Sequence, residues 1–178
     1  MNKDLLLKVS MNGRMAYAIM CVEKYLLVKY PDKDWEKLAQ LMWEATNTYW
    51  DAWDNKYIEI VPEYLFEFSN YDDSEFEELS KSDYDFYADL FRDITDGNED
   101  DEINVVLKSL HLLQEIYCYS DIPGEGIEAI EIIGKLCDIL VASNVELPNP
   151  ELVTFSSFTE RDGWGDQFNG EKFSIILK

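Results

Sequence analysis

The sequence predicts a mainly α protein: a single-domain helical bundle of about six to eight helices over residues 1–178, ending in an irregular tail at 148–178. Three observations carry that reading. Apolar residues recur at three- and four-residue spacing through several long runs, each bounded by a capping residue or by proline and glycine. With 47% hydrophobic and 14% aromatic residues and only five prolines, a chain of 178 can bury one core without disulfides or metals. The net charge of −22 is also uneven: residues 63–102 hold 16 acidic side chains against Lys81 and Arg92, a net −14, and the remainder carries −8. Aromatic and aliphatic residues from Phe66 to Ile94 thread that segment, so it reads as a folded acidic surface and not as a disordered tail.

Taken in order, Ser10 caps a long helix that stops at Pro31. Asn12 and Gly13 weaken its first turn and move the expected start toward Arg14. Ala16, Ile19, Met20, Leu26, Leu27 and Tyr30 make one inward face, with Glu23 as the polar exception. Asp34 caps a second helix running to Asn55, with a stripe of Trp35, Leu38, Met42, Ala45, Tyr49 and Trp53; Trp43 and Trp50 fall off it. Aromatic stripes at helical spacing read as core before they read as a ligand groove. Tyr57 to Val61 alternates like a short strand, and Pro62 suits the first position of a helix bearing Tyr64, Leu65 and Phe68.

Asp72 or Asp73 caps a short helix through Leu79, Ser82 caps another through Ile94, and Asp96-Gly97-Asn98 is a turn. The clearest helix runs from about Asp100 to Tyr119, with Ile103, Val106, Leu107, Leu110, Leu113, Ile116 and Tyr117 on one face. A second, carrying Ile127, Ile130, Ile133, Leu136, Cys137, Leu140 and Val141, follows Pro123-Gly124 and ends at Asn144. Their short link predicts an antiparallel hairpin. Beyond Pro150 the helical pattern gives way to glycines and β-favouring residues, leaving room for one small hairpin, with Trp164 pinning the tail to the helices.

The residues that carry chemistry do not converge in the sequence. His111 is the only histidine and faces Glu115 four residues on, an arrangement that more often marks the boundary of a core than a general base. Cys21, Cys118 and Cys137 form no CxxC pair and read as buried free thiols of a reducing compartment; one histidine and three scattered cysteines supply no zinc ligand set. Calcium fares no better, because setting Gly97 at the sixth place of an EF-hand loop puts Arg92 and Ile94 at the first and third. The turn PGEGIEAIEIIG lacks the strand, third glycine and lysine of a phosphate loop. Catalytic, cofactor-binding and metal-binding residues are therefore expected to be none. The N-terminus has no signal-peptide pattern and no apolar run is long enough to span a bilayer, so a cytoplasmic location is expected.

A charge of −22 repels phosphate backbones and anionic lipid, which argues against direct binding of nucleic acid or membrane and for a basic protein partner. The candidate contacts are the acids Asp72, Asp73, Glu75, Glu77, Glu78, Asp83, Asp85, Asp89, Asp93 and Asp96, with Tyr71, Phe76, Tyr84 and Tyr87 as aromatic anchors. In this acidic, helix-rich character, in the run RMAYAIMCVEKYL with its tryptophan-rich sequel, and in the segment DGWGDQF, the chain resembles an immunity protein of a bacterial polymorphic toxin system. The resemblance implies a mostly helical fold and a function of binding and neutralising a cognate toxin domain, with a basic nuclease as one candidate; it assigns no contact residue. Two alternatives stand beside it: a DNA mimic that inhibits a nucleic-acid-binding protein, and an enzyme with a cleft of carboxylates and tryptophans.

Overall fold

Eight α-helices and no β-strand make up the computed structural model, which describes residues 1–178. They are α1 (Lys3–Leu6), α2 (Met11–Lys29), α3 (Glu36–Glu44), α4 (Trp50–Ile58), α5 (Pro62–Leu65), α6 (Lys81–Phe91), α7 (Glu102–Glu115) and α8 (Ile127–Ala142), with short 3-10 turns at Tyr71–Asp73 and in the tail. The expected helical bundle is present. At its centre α2 packs against α3, α7 and α8, and α4 packs on α7. Tyr117 at the end of α7 donates to Glu128 at the start of α8 (2.9 Å), and Ser143 after α8 donates to Glu102 at the start of α7 (3.1 Å), so the two run antiparallel as their spacing predicts.

Helix α2 departs from the expected one-faced helix because every residue from Met11 to Glu23 is buried. It begins at Met11, not near Arg14: Ser10 accepts from the N–H of Gly13 at 3.1 Å, and the two weak helix formers serve packing instead. A Cβ on Gly13 would sit 2.4 Å from Val9 Cγ1, and the Asn12 carboxamide donates to the carbonyl of Gly165 (3.2 Å) while accepting from Trp50 Nε1 (2.9 Å). The polar residues of α2 are likewise joints. Glu23 accepts from Trp43, Ser174 and the N–H of Ile175, and Arg14 donates to the carbonyls of Leu6, Leu7, Glu125 and Gly126. Burial outweighs neighbouring negative groups and lowers the Arg14 guanidinium to about 10.

The single helix expected over 35–55 is two. Thr46 ends α3 by turning its hydroxyl onto the Trp43 carbonyl (2.9 Å), and the opened turn receives the tail, Phe168 N–H on the Thr46 carbonyl (2.8 Å) and Gly170 N–H on its hydroxyl (3.1 Å). Trp43 and Trp50, off the expected stripe, are buried, while Tyr49, on it, is exposed. The expected strand at 57–61 is the end of α4 and a turn; Pro62 opens α5 as expected. The tail has no hairpin. One isolated bridge, Val9 with Ser157, joins it to the N-terminus, and Phe155, Phe168 and Phe173 pack together over the α3–α4 turn. No helix is long and apolar enough to cross a membrane.

Candidate functional site

The acidic segment is a folded lobe built around its aromatic residues. Tyr71, Phe76 and Tyr84 lie within 5.7 to 6.2 Å of one another, ring centre to ring centre, and Phe68 meets Phe76 edge-on at 6.3 Å. The Tyr71 hydroxyl donates to the Leu79 carbonyl at 2.9 Å. Residues 74–79 form no helix, contrary to expectation. The amides of the last three are collected by Glu59, whose carboxylate accepts from the N–H groups of Glu77 (2.6 Å), Glu78 (3.1 Å) and Leu79 (2.7 Å). Capping also differs: Asn70 caps the 3-10 turn in place of Asp72 or Asp73, and Ser80 caps α6 in place of Ser82.

Asp72, Asp73, Glu75, Glu77, Glu78, Asp85, Asp89, Asp93 and Asp96 are exposed and Asp83 is half-buried. Of the four aromatic candidates, Tyr84 and Tyr87 are buried, and Tyr71 and Phe76 are half-buried in the floor of the lobe. Four of the acids are committed within the chain, Asp72 to Lys81 (3.2 Å), Asp83 to Lys37 (2.5 Å), Asp89 to Arg92 (2.9 Å) and Asp93 to Lys33 (3.3 Å). The Lys37 hydrogen bond, helped by Ser80, holds the Asp83 carboxyl below the usual range. Six remain without a cation, Asp73, Glu75, Glu77, Glu78, Asp85 and Asp96, and Glu67, Glu99 and Asp100 extend this surface.

His111 lies between two carboxylates, its Nδ1 2.9 Å from Asp54 and its Nε2 3.5 Å from Glu115. Asp54 is on α4, invisible to a reading of α7 alone, and the contact ties the two helices. Beside it Lys108 grips Glu63 at 2.7 Å and Asn104 donates to the same carboxylate at 3.0 Å. No nucleophile faces this histidine within hydrogen-bond reach; Ser109 is spent on the Val106 carbonyl. No group of three or more His, Cys, Asp or Glu side chains converges as a metal site.

Comparison of the chain with family models, with curated proteins and with solved structures finds no match.

A cleft of tryptophans does exist, as one alternative expected, between the start of α4, the end of α7 and the tail; it holds Trp50 and Trp164 but only one carboxylate, Asp51. Hydrogen bonds from lysines hold the carboxyl groups of Glu63, Asp83 and Glu102 below their ordinary range, whereas burial raises tyrosines and Cys21.

Proposed function

We propose that this protein is an immunity-type inhibitor, cytoplasmic, that binds and neutralises a basic toxin domain through the acidic lobe. The observation that carries the reading is the set of nine exposed carboxylates between Glu67 and Asp100 that have no cation within the chain, mounted on a lobe whose aromatics and Glu59 clamp fix its shape. Acids that serve only folding would be paired or capping, as Asp83 and Asp72 are. Unpaired acids on a fixed surface repel one another and gain from a basic partner, which they also attract at long range. A nuclease domain, itself shaped to bind a polyanion, is the favoured class of toxin.

The test is reversal of Glu77, Glu78 and Asp85 together to lysine, chosen because none of these side chains is ion-paired or hydrogen-bonded within the chain, the Glu59 clamp holding only the backbone amides of Glu77 and Glu78. Protection against a cognate toxin should fall, with the complex weakened by several kcal/mol. A control reversal of Asp121, Glu131 and Asp138, exposed outside the lobe, should leave protection nearly intact. Equal losses would reduce the effect to net charge and remove the lobe from the account. Displacement of several unrelated DNA-binding proteins from duplex DNA would instead favour the DNA-mimic alternative.

A further inference from the structure

We infer that the cleft between α4, α7 and the tail is a binding site for a neutral sugar ring, separate from the acidic lobe. It measures about 350 Å³, room for one ring with its hydroxyls. Its walls are Trp50 and Trp164, 5.2 Å apart at 86°, and its rim carries Tyr49 and Tyr119, 78% and 92% exposed. The Trp50 indole is fixed from behind by its bond to Asn12. Gln114 reaches the same cleft from α7. It is 95% buried, yet its carboxamide oxygen accepts no hydrogen bond from the protein and its only contact of that kind is a weak one, Nε2 to Cys118 Sγ at 3.5 Å. No buried side-chain oxygen of the chain lacks a partner, so this one opens onto the cleft, and a ligand that covers it must supply a donor.

The other lining groups select among ligands. The Trp164 indole N–H has no acceptor in the protein, Asp51 has no cation, and Arg161 binds Asp166 through Nε at 2.5 Å, which leaves its outer nitrogens free. Donors and acceptors are thus mixed around apolar walls. An anion meets Asp51 and the field of a −22 chain; a cation is drawn by that field but faces the Arg161 guanidinium and leaves the Trp164 N–H unserved; an apolar side chain strands the Gln114 oxygen. A flat base stacks best on or between parallel rings, and these indoles stand at right angles. Sugar hydroxyls both donate and accept, and the C–H face of the ring packs on an indole. Cleaving a glycosidic bond takes two carboxyl groups about 5 to 9.5 Å apart, and the lining has one, so the site binds and does not cut.

The test is a titration of isotope-labelled full-length protein with methyl glycosides of glucose, galactose, mannose and N-acetylglucosamine and their disaccharides, alongside adenosine and an arginine ester. At least one glycoside should shift the indole N–H signals of Trp50 and Trp164 and the Gln114 side-chain amide saturably. Gln114→Met should weaken that binding about tenfold or more. Tyr49→Ala, at an exposed rim position, should weaken it with unchanged thermal melting, so a misfolded Gln114 variant does not void the result. The inference is overturned if no glycoside moves these signals, if adenosine or the arginine ester binds in preference, or if both variants bind like the native chain. The acidic-lobe reversal leaves this titration unchanged on either outcome for toxin binding.

Discussion

Glu23 on α2 accepts the indole N–H of Trp43 on α3 at 2.8 Å, and neither residue is more than 1% exposed. The same carboxylate accepts from Ser174 at 2.5 Å and from the Ile175 N–H at 2.8 Å, so one side chain of the central helix closes both α3 and the last turn of the tail. Glu23→Leu strands three donors at once and should destabilise the fold by roughly 3 kcal/mol or more in urea denaturation. Glu23→Gln keeps an acceptor and should cost about 1 to 2 kcal/mol. Hydrogen exchange should accelerate first at residues 171–178. Uniform acceleration across the chain would show that the tail is not separately held by this group.

Glu59 should behave differently from the acids around it. Its carboxylate closes the loop at Glu77, Glu78 and Leu79, so Glu59→Ala should cost about 1 to 3 kcal/mol, open that loop to exchange, and weaken toxin binding although it removes one negative charge like any other lobe acid. An Asp85→Ala control should change stability by no more than about 0.5 kcal/mol. If Glu59→Ala and Asp85→Ala were indistinguishable in exchange at 77–79, the clamp would carry no weight.

These two residues also mark the limit of what the sequence shows. The α7–α8 hairpin was legible because period and link length are local properties, and the acidic lobe because charge can be counted. Glu23 reads only as an anomaly on an apolar face, since its partners Trp43 and Ser174 lie 20 and 151 residues away. Glu59 lies outside the acid-rich segment and acts on backbone amides that no side-chain pattern records. The placement of Tyr71, Phe76, Tyr84 and Tyr87 was not legible for a related reason: an aromatic among acids can floor a small lobe as readily as crown it, and burial decides. Which residues line the cleft was not legible, because Trp50, Gln114 and Trp164 come from three distant segments.

Acid should weaken the joint between α5 and α7. The hydrogen bond from Lys108 holds the Glu63 carboxyl below its ordinary value, against the opposing effect of burial, and the same bond raises Lys108. A lowered carboxyl stabilises fully above its unfolded value, near 4.3 for glutamate, and loses that contribution as pH falls through its lower folded value. A raised amine stabilises below about 10.4 and loses its share as pH climbs through its higher folded value. Both groups are mostly shielded, at 22% and 27% side-chain exposure, so Glu63→Gln should cost about 1 kcal/mol at neutral pH and flatten the fall in stability on the acid side. Thermal melts of native and variant protein that stay parallel from neutrality down to the acid transition would remove the pair as a source of acid sensitivity.

The three cysteines, expected to be alike, are not, and thiol labelling separates them. Cys21 and Cys137 are buried, whereas Cys118 lies beyond the end of α7, half-buried, on the lining of the tryptophan cleft. Burial pushes the Cys21 thiol well up, which leaves little thiolate. The Cys137 thiol is lowered by its hydrogen bond with Cys21, against burial, yet only 2% of the residue is exposed, so a reagent reaches it only when the core opens. Native protein treated with a small maleimide should therefore be modified at Cys118 first, by at least about tenfold over the other two, with the difference vanishing in denaturant. Because Trp50 and Trp164 line the same cleft, the Cys118 adduct should quench tryptophan fluorescence in step with labelling. Modification of Cys137 at the rate of Cys118 would mean that the N-terminal segment around Met1, whose sulfur lies 3.7 Å from Cys137, opens far more readily than its packing implies.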